Sequence, residues 1–166
     1  MENKTTGKPR FVAKSITPFL WFDNNAEEAI NFYLSIFENS KAGKMIRYGD
    51  GGPGPAGTVM TATFEIEGQE FVALNGGPHF KFTEAISFVI NCESQVEIDG
   101  FWERLSEGTT DKGQCGWLKD KFGLSWQIVP YNMAELLQSN DPEKAKRKIQ
   151  AMMKMKKLDI KALEEA

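Results

Sequence analysis

A pattern of hydrophobic segments that occurs twice is the feature that most constrains the fold of this chain. The first copy spans residues 16–75 and the second spans residues 86–130. Each copy begins with an apolar segment of strand length, continues through a capped amphipathic helix, and ends in short strands. The repeat predicts an α+β fold built from two βαβββ modules, followed by C-terminal helices.

The first copy opens with an apolar segment over residues 16–22, which predicts a strand. Asn24 or Asn25 then provides a helix cap, with a glutamate three residues later that completes a capping box. Apolar residues recur at helical spacing as far as Phe37, so we expect the helix to end near residues 39–40.

Further strands are expected after this helix, over residues 45–48, 58–66 and 69–75. Glu67 and Gly68 separate the last two strands, which is a hairpin signal. The loop of residues 49–57 is rich in glycine and proline, and it has two interpretations. It is either a flap over the mouth of a pocket or a flexible hairpin connection.

The second copy repeats this order of elements. Residues 86–91 predict a strand, and Ser94 with Glu97 predicts a capping box for a helix that Gly108 ends. Strands are then expected near residues 109–110, where the signal is faint, and over residues 114–119 and 125–129.

The repeat divides the chain into four segments. They are an N-terminal tail at residues 1–14, modules at residues 15–78 and 79–130, and a helical extension at residues 131–166. In the extension, Asn132 can cap a short helix, and Asp141 followed by Pro142 starts a longer, basic one. Its charges are typical of a solvated face on a helix that packs on its own or a neighbouring subunit. A nucleic-acid or membrane arm is the alternative.

The composition excludes some classes of function. The net charge of −3 gives no basic bias, so we expect no nucleic-acid partner. No apolar run reaches the length of a membrane span, and the polar start lacks the apolar core of a signal peptide, so we expect no membrane partner. Cys92 and Cys115 have no metal-type spacing, which favours a cytoplasmic protein with reduced thiols.

The chain resembles the vicinal-oxygen-chelate, or glyoxalase-fold, superfamily in two phrases, ITPFLWFDNNAEEAINFY near the start and GWLKDKFGLSWQIVP near the end. Within that superfamily it is most similar to the PhnB-like branch, over residues 16–130. The resemblance implies two four-stranded sheets that curl around a shared pocket, a homodimer and, in many members, a divalent metal held by His and Glu. Proteins of this branch often carry a 3-demethylubiquinone-9 3-methyltransferase label.

The resemblance also implies that metal ligands lie on the first and last strands of each module. In this chain those positions fall near Pro18, Ser87 and Gln127, with Ala73 or Asn75 at the end of the first module. Proline has no ligating side chain, serine is a poor ligand, and Gln127 has a neutral amide where relatives carry Glu. We therefore expect no metal and no cofactor in the family pocket.

Six residues are candidates for ligand binding, namely Gln127, Asn75, Trp21, Phe88, Trp117 and His79. Gln127 and Asn75 are interpreted as polar anchors, with amides that neighbouring strands satisfy as the alternative. The aromatic residues are candidate walls, although most large aromatics in such a chain pack in the core. His79, the only histidine, is either a general base or donor in the pocket or an exposed linker residue.

These features favour a PhnB-like homodimer that binds or sequesters a small, partly apolar molecule without a metal. One alternative is an enzyme that acts on a small carbonyl or vicinal-oxygen compound, as a lyase or dioxygenase does. A methyltransferase, as the family label states, is the other. The sequence contains no glycine-rich strand-to-helix turn of the kind that holds a nucleotide-like methyl donor.

Overall fold

The computed structural model describes residue 13 and residues 15–110 and 112–166 of the chain. The predicted tail therefore lies, apart from Ala13 itself, outside the described residues. The first module has the predicted βαβββ order, with β2 starting earlier than expected. Its elements are β1 (Phe19–Phe22), α1 (Ala26–Ile36), β2 (Ser40–Arg47), β3 (Val59–Ile66) and β4 (Gln69–Asn75).

The four strands of the first module form one sheet in the order β1-β4-β3-β2. Strand β1 runs parallel to β4, and Trp21 is the register partner of Leu74. Strands β3 and β4 form the expected hairpin, in which Glu67 and Gly68 have φ angles of 46° and 79°. Positive φ at both central residues is typical of a two-residue hairpin turn, so the sequence signal is confirmed here.

Within the described residues, the second module has one strand fewer than predicted. Its elements are β5 (Ser87–Cys92), α2 (Gln95–Leu105), β6 (Trp117–Lys119) and β7 (Ser125–Pro130), which form a sheet in the order β5-β7-β6. The prediction of a strand near residues 109–110 is wrong. The Thr109 N–H donates to the Ser106 carbonyl, and the Lys112 N–H donates to the Thr110 carbonyl. The backbone therefore bonds to its own neighbours here and joins no ladder.

The helical extension packs against its own chain. It contains α3 (Met133–Leu137), α4 (Pro142–Lys154) and α5 (Ile160–Glu165), the last of which the sequence did not predict. Asp141 caps α4 as expected, because its carboxylate accepts from the Glu143 N–H at 2.9 Å. The Cys115 N–H donates to the Met155 carbonyl at 2.8 Å and so attaches the segment after α4 to the second module.

One hydrophobic core joins the two modules. Tyr33 of α1 stacks on Phe64 of the first sheet, with ring centroids 6.2 Å apart, and its ring lies 5.6 Å from that of Trp126 in the second sheet. Phe71 and Phe88 make a further contact between the sheets, at 5.2 Å. One face of each sheet is therefore buried in a shared interior.

The opposite face of each sheet is partly open. On the first sheet it presents Phe19, which is 58 % exposed, and Trp21. On the second sheet it presents Val89, which is 49 % exposed, together with its neighbours Gln127 and Trp117. Side chains alternate between the two faces along a strand, so each strand contributes to the core and to an open face. None of the described helices is both long and apolar enough to span a bilayer.

Candidate functional site

A cavity of about 790 Å³ opens at the end of the first sheet, beside the loop that joins β2 to β3. Ligand pockets typically enclose about 300–1,000 Å³, so this volume suits a small organic molecule. Aromatic, aliphatic and polar groups share its lining. They come from residues in three segments, at 21–24, 48–60 and 74–79.

Trp21 forms one wall of the cavity, and its ring is held in place. The indole Nε1–H donates to the Gly77 carbonyl at 2.8 Å. The ring lies against the backbone of Gly76, where a Cβ atom would overlap it. The edge of the ring also meets Phe80, with ring centroids 4.9 Å apart. Glycine is therefore needed at position 76 because the indole approaches the backbone so closely.

Tyr48 forms a second aromatic part of the wall. Its hydroxyl donates to the Asn75 carbonyl at 2.7 Å. Gly54 of the following loop packs on the tyrosine ring, and a Cβ atom there would overlap it. The loop is closed at its base because the Gly57 N–H donates to the Tyr48 carbonyl at 2.8 Å. It is thus a hairpin connection whose residues also line the cavity.

Asn75 reaches the cavity, but the fold uses its amide. Its Oδ1 accepts from the Ala26 N–H at 2.8 Å, and its Nδ2 donates to the Val59 carbonyl at 2.9 Å. Asn25 makes no side-chain cap bond, so the predicted capping box at Asn24 or Asn25 is not formed. Asn75 caps α1 from the end of β4 instead, and these contacts correspond to the alternative of a satisfied buried amide.

Two titratable side chains lie at the rim of the cavity. Asp23 and His79 are both exposed and both line it. The Gly77 N–H donates to the Asp23 carbonyl at 3.0 Å, which fixes the segment before His79 beside the end of β1. A carboxylate and the imidazole of the only histidine are therefore available to a molecule in this cavity.

Gln127 and Ser87 form a polar pair on the open face of the second sheet. The Gln127 Nε2 donates to the Ser87 Oγ at 2.8 Å. Val89 and Trp117 are the register partners of Gln127 on the two neighbouring strands, so Gln127 lies at the centre of this face. This face and the cavity beside the first sheet have no lining residue in common.

The structure thus separates the six candidate residues. Trp21, Asn75 and His79 lie at the cavity, and Trp117 and Gln127 lie on the open face of the second sheet. The sixth, Phe88, is in the shared interior, between the rings of Phe71 and Trp126.

Three further cavity residues, Asp23, Met60 and Leu74, were not singled out from the sequence. The alternation of side chains along a strand could have identified Leu74, because it shares a sheet face with its register partner Trp21. Asp23 had no such signal, since a lone aspartate after a strand most often belongs to a turn.

The residues of the second sheet do not fit the metal site of the superfamily. Ser87 and Gln127, where the resemblance places two of the ligands, lie near each other on the paired strands β5 and β7, but both are neutral and they bond to each other. Divalent transition metals prefer imidazole, thiolate or carboxylate ligands. Among the described residues, no group of three or more His, Cys, Asp and Glu side chains is arranged to hold a metal ion.

Comparisons with known proteins agree with this architecture. A sequence profile described as 3-demethylubiquinone-9 3-methyltransferase matches residues 14–129. A solved Bacillus cereus structure, described as a putative 3-demethylubiquinone-9 3-methyltransferase and PhnB protein, is 38% identical with a TM-score of 0.62. The match covers 70% of this chain and 99% of that chain. No curated protein matches this sequence.

Two more distant structures share the fold alone. Protein PA1353 from Pseudomonas aeruginosa is 22% identical, with a TM-score of 0.55 and coverage of 71% of this chain and 98% of its own. The fosfomycin resistance protein FosX from Listeria monocytogenes is 15% identical, with a TM-score of 0.55 and coverage of 78% and 100%. From the profile match and the Bacillus cereus relative together, this chain belongs to the PhnB-like, 3-demethylubiquinone-9 3-methyltransferase family of the vicinal-oxygen-chelate superfamily.

Proposed function

We propose that this protein binds a small, partly apolar molecule in the cavity of the first sheet. The observation that carries the proposal is the fixed aromatic wall of that cavity. Trp21 and Tyr48 are each held by a hydrogen bond to backbone at one side and by a glycine contact at another. A preorganised wall of this kind lowers the entropy that binding would otherwise cost.

The residues at the metal-ligand positions implied by the family resemblance, Ser87 and Gln127 of the second sheet, favour a protein that binds its ligand without a metal. The hydroxyl of Ser87 and the amide of Gln127 can orient a ligand through hydrogen bonds, but neither carries the negative charge that a divalent cation favours. A purified sample should therefore contain no stoichiometric zinc, nickel, manganese or iron. Elemental analysis that finds about one metal ion per chain, lost in Gln127→Ala, would contradict this part of the proposal.

A homodimer would give the open face of the second sheet a role in the same site. Both open faces carry apolar groups, with Phe19 and Trp21 on one and Val89 and Trp117 on the other. A symmetric partner would cover both faces if the first sheet of one copy packed against the second sheet of the other. In that arrangement Gln127 would complete the cavity of the partner subunit.

Catalysis on a small carbonyl or vicinal-oxygen compound is the second candidate function. The observation in its favour is His79, whose imidazole lines the cavity and can act as a general base. The family description suggests methyl transfer instead, which would require a separate methyl donor. Turnover that is lost in His79→Gln while ligand binding is retained would support the carbonyl chemistry.

The binding proposal is tested by a thermal-shift screen of small aromatic and amphiphilic compounds. A ligand that binds only the folded state increases the free energy of unfolding by RT ln(1 + [L]/Kd), and the melting temperature rises as a result. We expect the shift to be largely lost in Trp21→Leu, which removes the fixed wall. It should be retained in Tyr131→Leu, which removes an aromatic ring that is 70 % exposed and outside the cavity. Equal shifts in the two variants would contradict the assignment of this cavity.

A further inference from the structure

We infer that the cavity selects a ligand that carries a positively charged, hydrogen-bond-donating group next to a planar or apolar one. This inference rests on the proposed binding function and adds the chemical class of the ligand. It follows from which donors of the cavity wall are already bonded and from which charges line it.

Three side-chain donors of the wall are bonded to the backbone. The Trp21 Nε1–H donates to Gly77, the Tyr48 hydroxyl donates to Asn75, and the Thr58 hydroxyl donates to Pro55, at distances of 2.7–2.8 Å. A hydroxyl has one proton, so the tyrosine and threonine oxygens can offer a ligand only their lone pairs. At these three positions the wall therefore has no side-chain proton left to donate to a ligand.

Two glycine amides beside the Trp21 ring are already used by the fold. The Gly76 N–H donates to the Phe22 carbonyl at 2.9 Å, and the Gly77 N–H donates to the Asp23 carbonyl at 3.0 Å. Glycine amides of this kind are the usual partners of phosphate and carboxylate groups when they are free. Here both are already bonded within the fold, so they cannot stabilise an anion.

The charges at the cavity also favour a cation. Asp23 contributes a carboxylate to the rim, and no lysine or arginine is found among the lining residues that the structure describes. Arg47 directly precedes Tyr48, but its guanidinium bonds both carboxylate oxygens of Glu27, at 3.0 and 3.3 Å. That arginine is therefore already paired, and its partner lies on helix α1 outside the lining.

The aromatic wall adds a further preference for positive charge. The faces of tryptophan and tyrosine rings attract cations within about 6 Å of the ring centroid. Trp21 and Tyr48 supply such rings, and Asp23 lies in the same lining. Asn24 and His79 supply the side-chain donors that remain, and they can serve a neutral polar group of the ligand.

The test uses one planar scaffold in three charge states. Tryptamine carries an ammonium group, tryptophol carries a neutral hydroxyl, and indole-3-propionate carries a carboxylate. Their dissociation constants are measured by titration calorimetry at a fixed ionic strength of about 0.1 M, because exposed charges are screened over about 10 Å under these conditions. We expect tryptamine to bind about tenfold more tightly than indole-3-propionate, with tryptophol between them.

A pair of matched variants locates the source of the preference. Asp23→Asn should weaken tryptamine binding by about threefold to tenfold and leave tryptophol binding within about twofold. Asp50→Asn is the control, because it makes the same change of charge in the neighbouring loop at an exposed residue outside the lining. It should leave all three affinities nearly unchanged.

The outcomes separate this inference from the binding proposal. If indole-3-propionate binds as tightly as tryptamine, the cavity binds ligands but the charge preference is wrong. If Asp50→Asn weakens tryptamine as much as Asp23→Asn does, the preference comes from net charge and the assignment to Asp23 is wrong. If none of the three compounds binds, the proposed binding function itself is contradicted, and the inference that rests on it is overturned as well.

Discussion

Gln127 is the residue whose role depends most on the assembly of the protein. Its amide donates to Ser87 at 2.8 Å on an open face, with Val89 and Trp117 beside it. The Gln127 Oε1 accepts no hydrogen bond from the residues that the structure describes. A glutamine at the centre of a partly open apolar face is well placed to accept one bond from a ligand.

In the proposed dimer, where Gln127 faces the cavity of the partner subunit, we expect Gln127→Leu to weaken ligand binding about tenfold to a hundredfold, since an unpaired polar group on the ligand costs about 1–3 kcal/mol. The free energy of unfolding should change by less than about 1 kcal/mol, because leucine has a similar size. Calorimetric titration with the ligand from the screen measures the first quantity, and urea unfolding measures the second. Gln69→Leu, at an exposed hairpin position, is the control. Unchanged affinity in Gln127→Leu would make this residue purely structural.

Asp120 is a buried carboxylate that serves the core and not the cavity. Its Oδ1 accepts from the backbone N–H groups of Phe122 and Leu124, at 2.9 and 3.0 Å. Its Oδ2 accepts from the Tyr33 hydroxyl and the Trp126 Nε1–H, at 2.8 and 2.9 Å. Burial raises the pKa of this carboxyl above its ordinary value, and the four donors oppose that rise.

The raised pKa gives a definite sign to the dependence of stability on pH. The folded state binds the Asp120 proton more tightly than the unfolded state does. The resulting stabilisation is complete below the ordinary Asp pKa of about 3.9 and is lost as the pH rises through the raised value. The asparagine of Asp120→Asn cannot titrate. Its NH₂ group would also face hydrogen-bond donors at a position where the Asp120 carboxylate has an accepting oxygen. We expect it to cost about 2–4 kcal/mol in unfolding free energy.

The measurement is urea unfolding of the parent and Asp120→Asn between about pH 4 and pH 7. The unfolding free energy of the parent minus that of Asp120→Asn should become smaller as the pH rises, because only the parent loses stabilisation when Asp120 ionises. Asp50→Asn, an exposed loop variant, should lie within about 0.5 kcal/mol of the parent throughout. A difference that grows with pH would mean that the four donors outweigh burial and that the pKa is lowered.

At the scale of elements, helix α1 shows a cap supplied by a distant strand. Asn75 lies at the end of β4, and its Oδ1 accepts the Ala26 N–H that a local cap would normally satisfy. Helix α2 follows the sequence signal more closely, because the Ser94 Oγ accepts from the Glu97 N–H at 3.3 Å. The sequence predicted the cap of α2 correctly because Ser94 and Glu97 are three residues apart, whereas the cap of α1 joins residues 49 positions apart.

Two asparagine variants test this difference between the helices' caps. Asn75→Ala should lower the unfolding free energy by about 2–3 kcal/mol, because it leaves the buried Ala26 N–H and Val59 carbonyl without partners. Asn25→Ala should cost less than about 0.5 kcal/mol, because the Asn25 side chain makes no cap bond. Chemical unfolding of both variants provides the comparison. Equal losses would show that Asn25 contributes as a cap in solution.

At the scale of the whole molecule, two modules share one interior and leave two faces open. Helix α4 also exposes apolar side chains, since Ile149 and Met153 are 47 % and 54 % exposed. Open apolar surface of this extent is typical of proteins that associate. A homodimer is the assembly that would cover both sheet faces by one symmetric contact.

We expect light scattering at micromolar concentration to give twice the mass of one chain. Val89→Asp places a charge on the open face of the second sheet and should shift the protein to a monomer. Val96→Asp makes the same change at a residue of α2 that is 80 % exposed, and should leave the dimer intact. A parent protein that scatters as a monomer at this concentration would rule out the dimer.

The sequence by itself determined the features that depend on near neighbours. Period-two and period-3.6 patterns identified the strands and helices of both modules, and the Glu67-Gly68 turn and the Ser94 cap were each encoded within a few residues. Trp21 and His79 were candidates because of their residue types, a large aromatic ring and the only histidine of the chain, and both line the cavity.

Only the tertiary structure decided which distant segments meet. Asn75 was expected to be a ligand anchor, but packing of β4 beside α1 directs its amide to Ala26, 49 positions away in the chain. The pairing of Trp21 with Leu74 and the separation of Gln127 from the cavity likewise depend on how whole sheets are placed. Local periodicity determines which face of a strand is apolar. The contacts that the face makes depend on the packing of elements far apart in sequence, and local patterns carry no information about that packing.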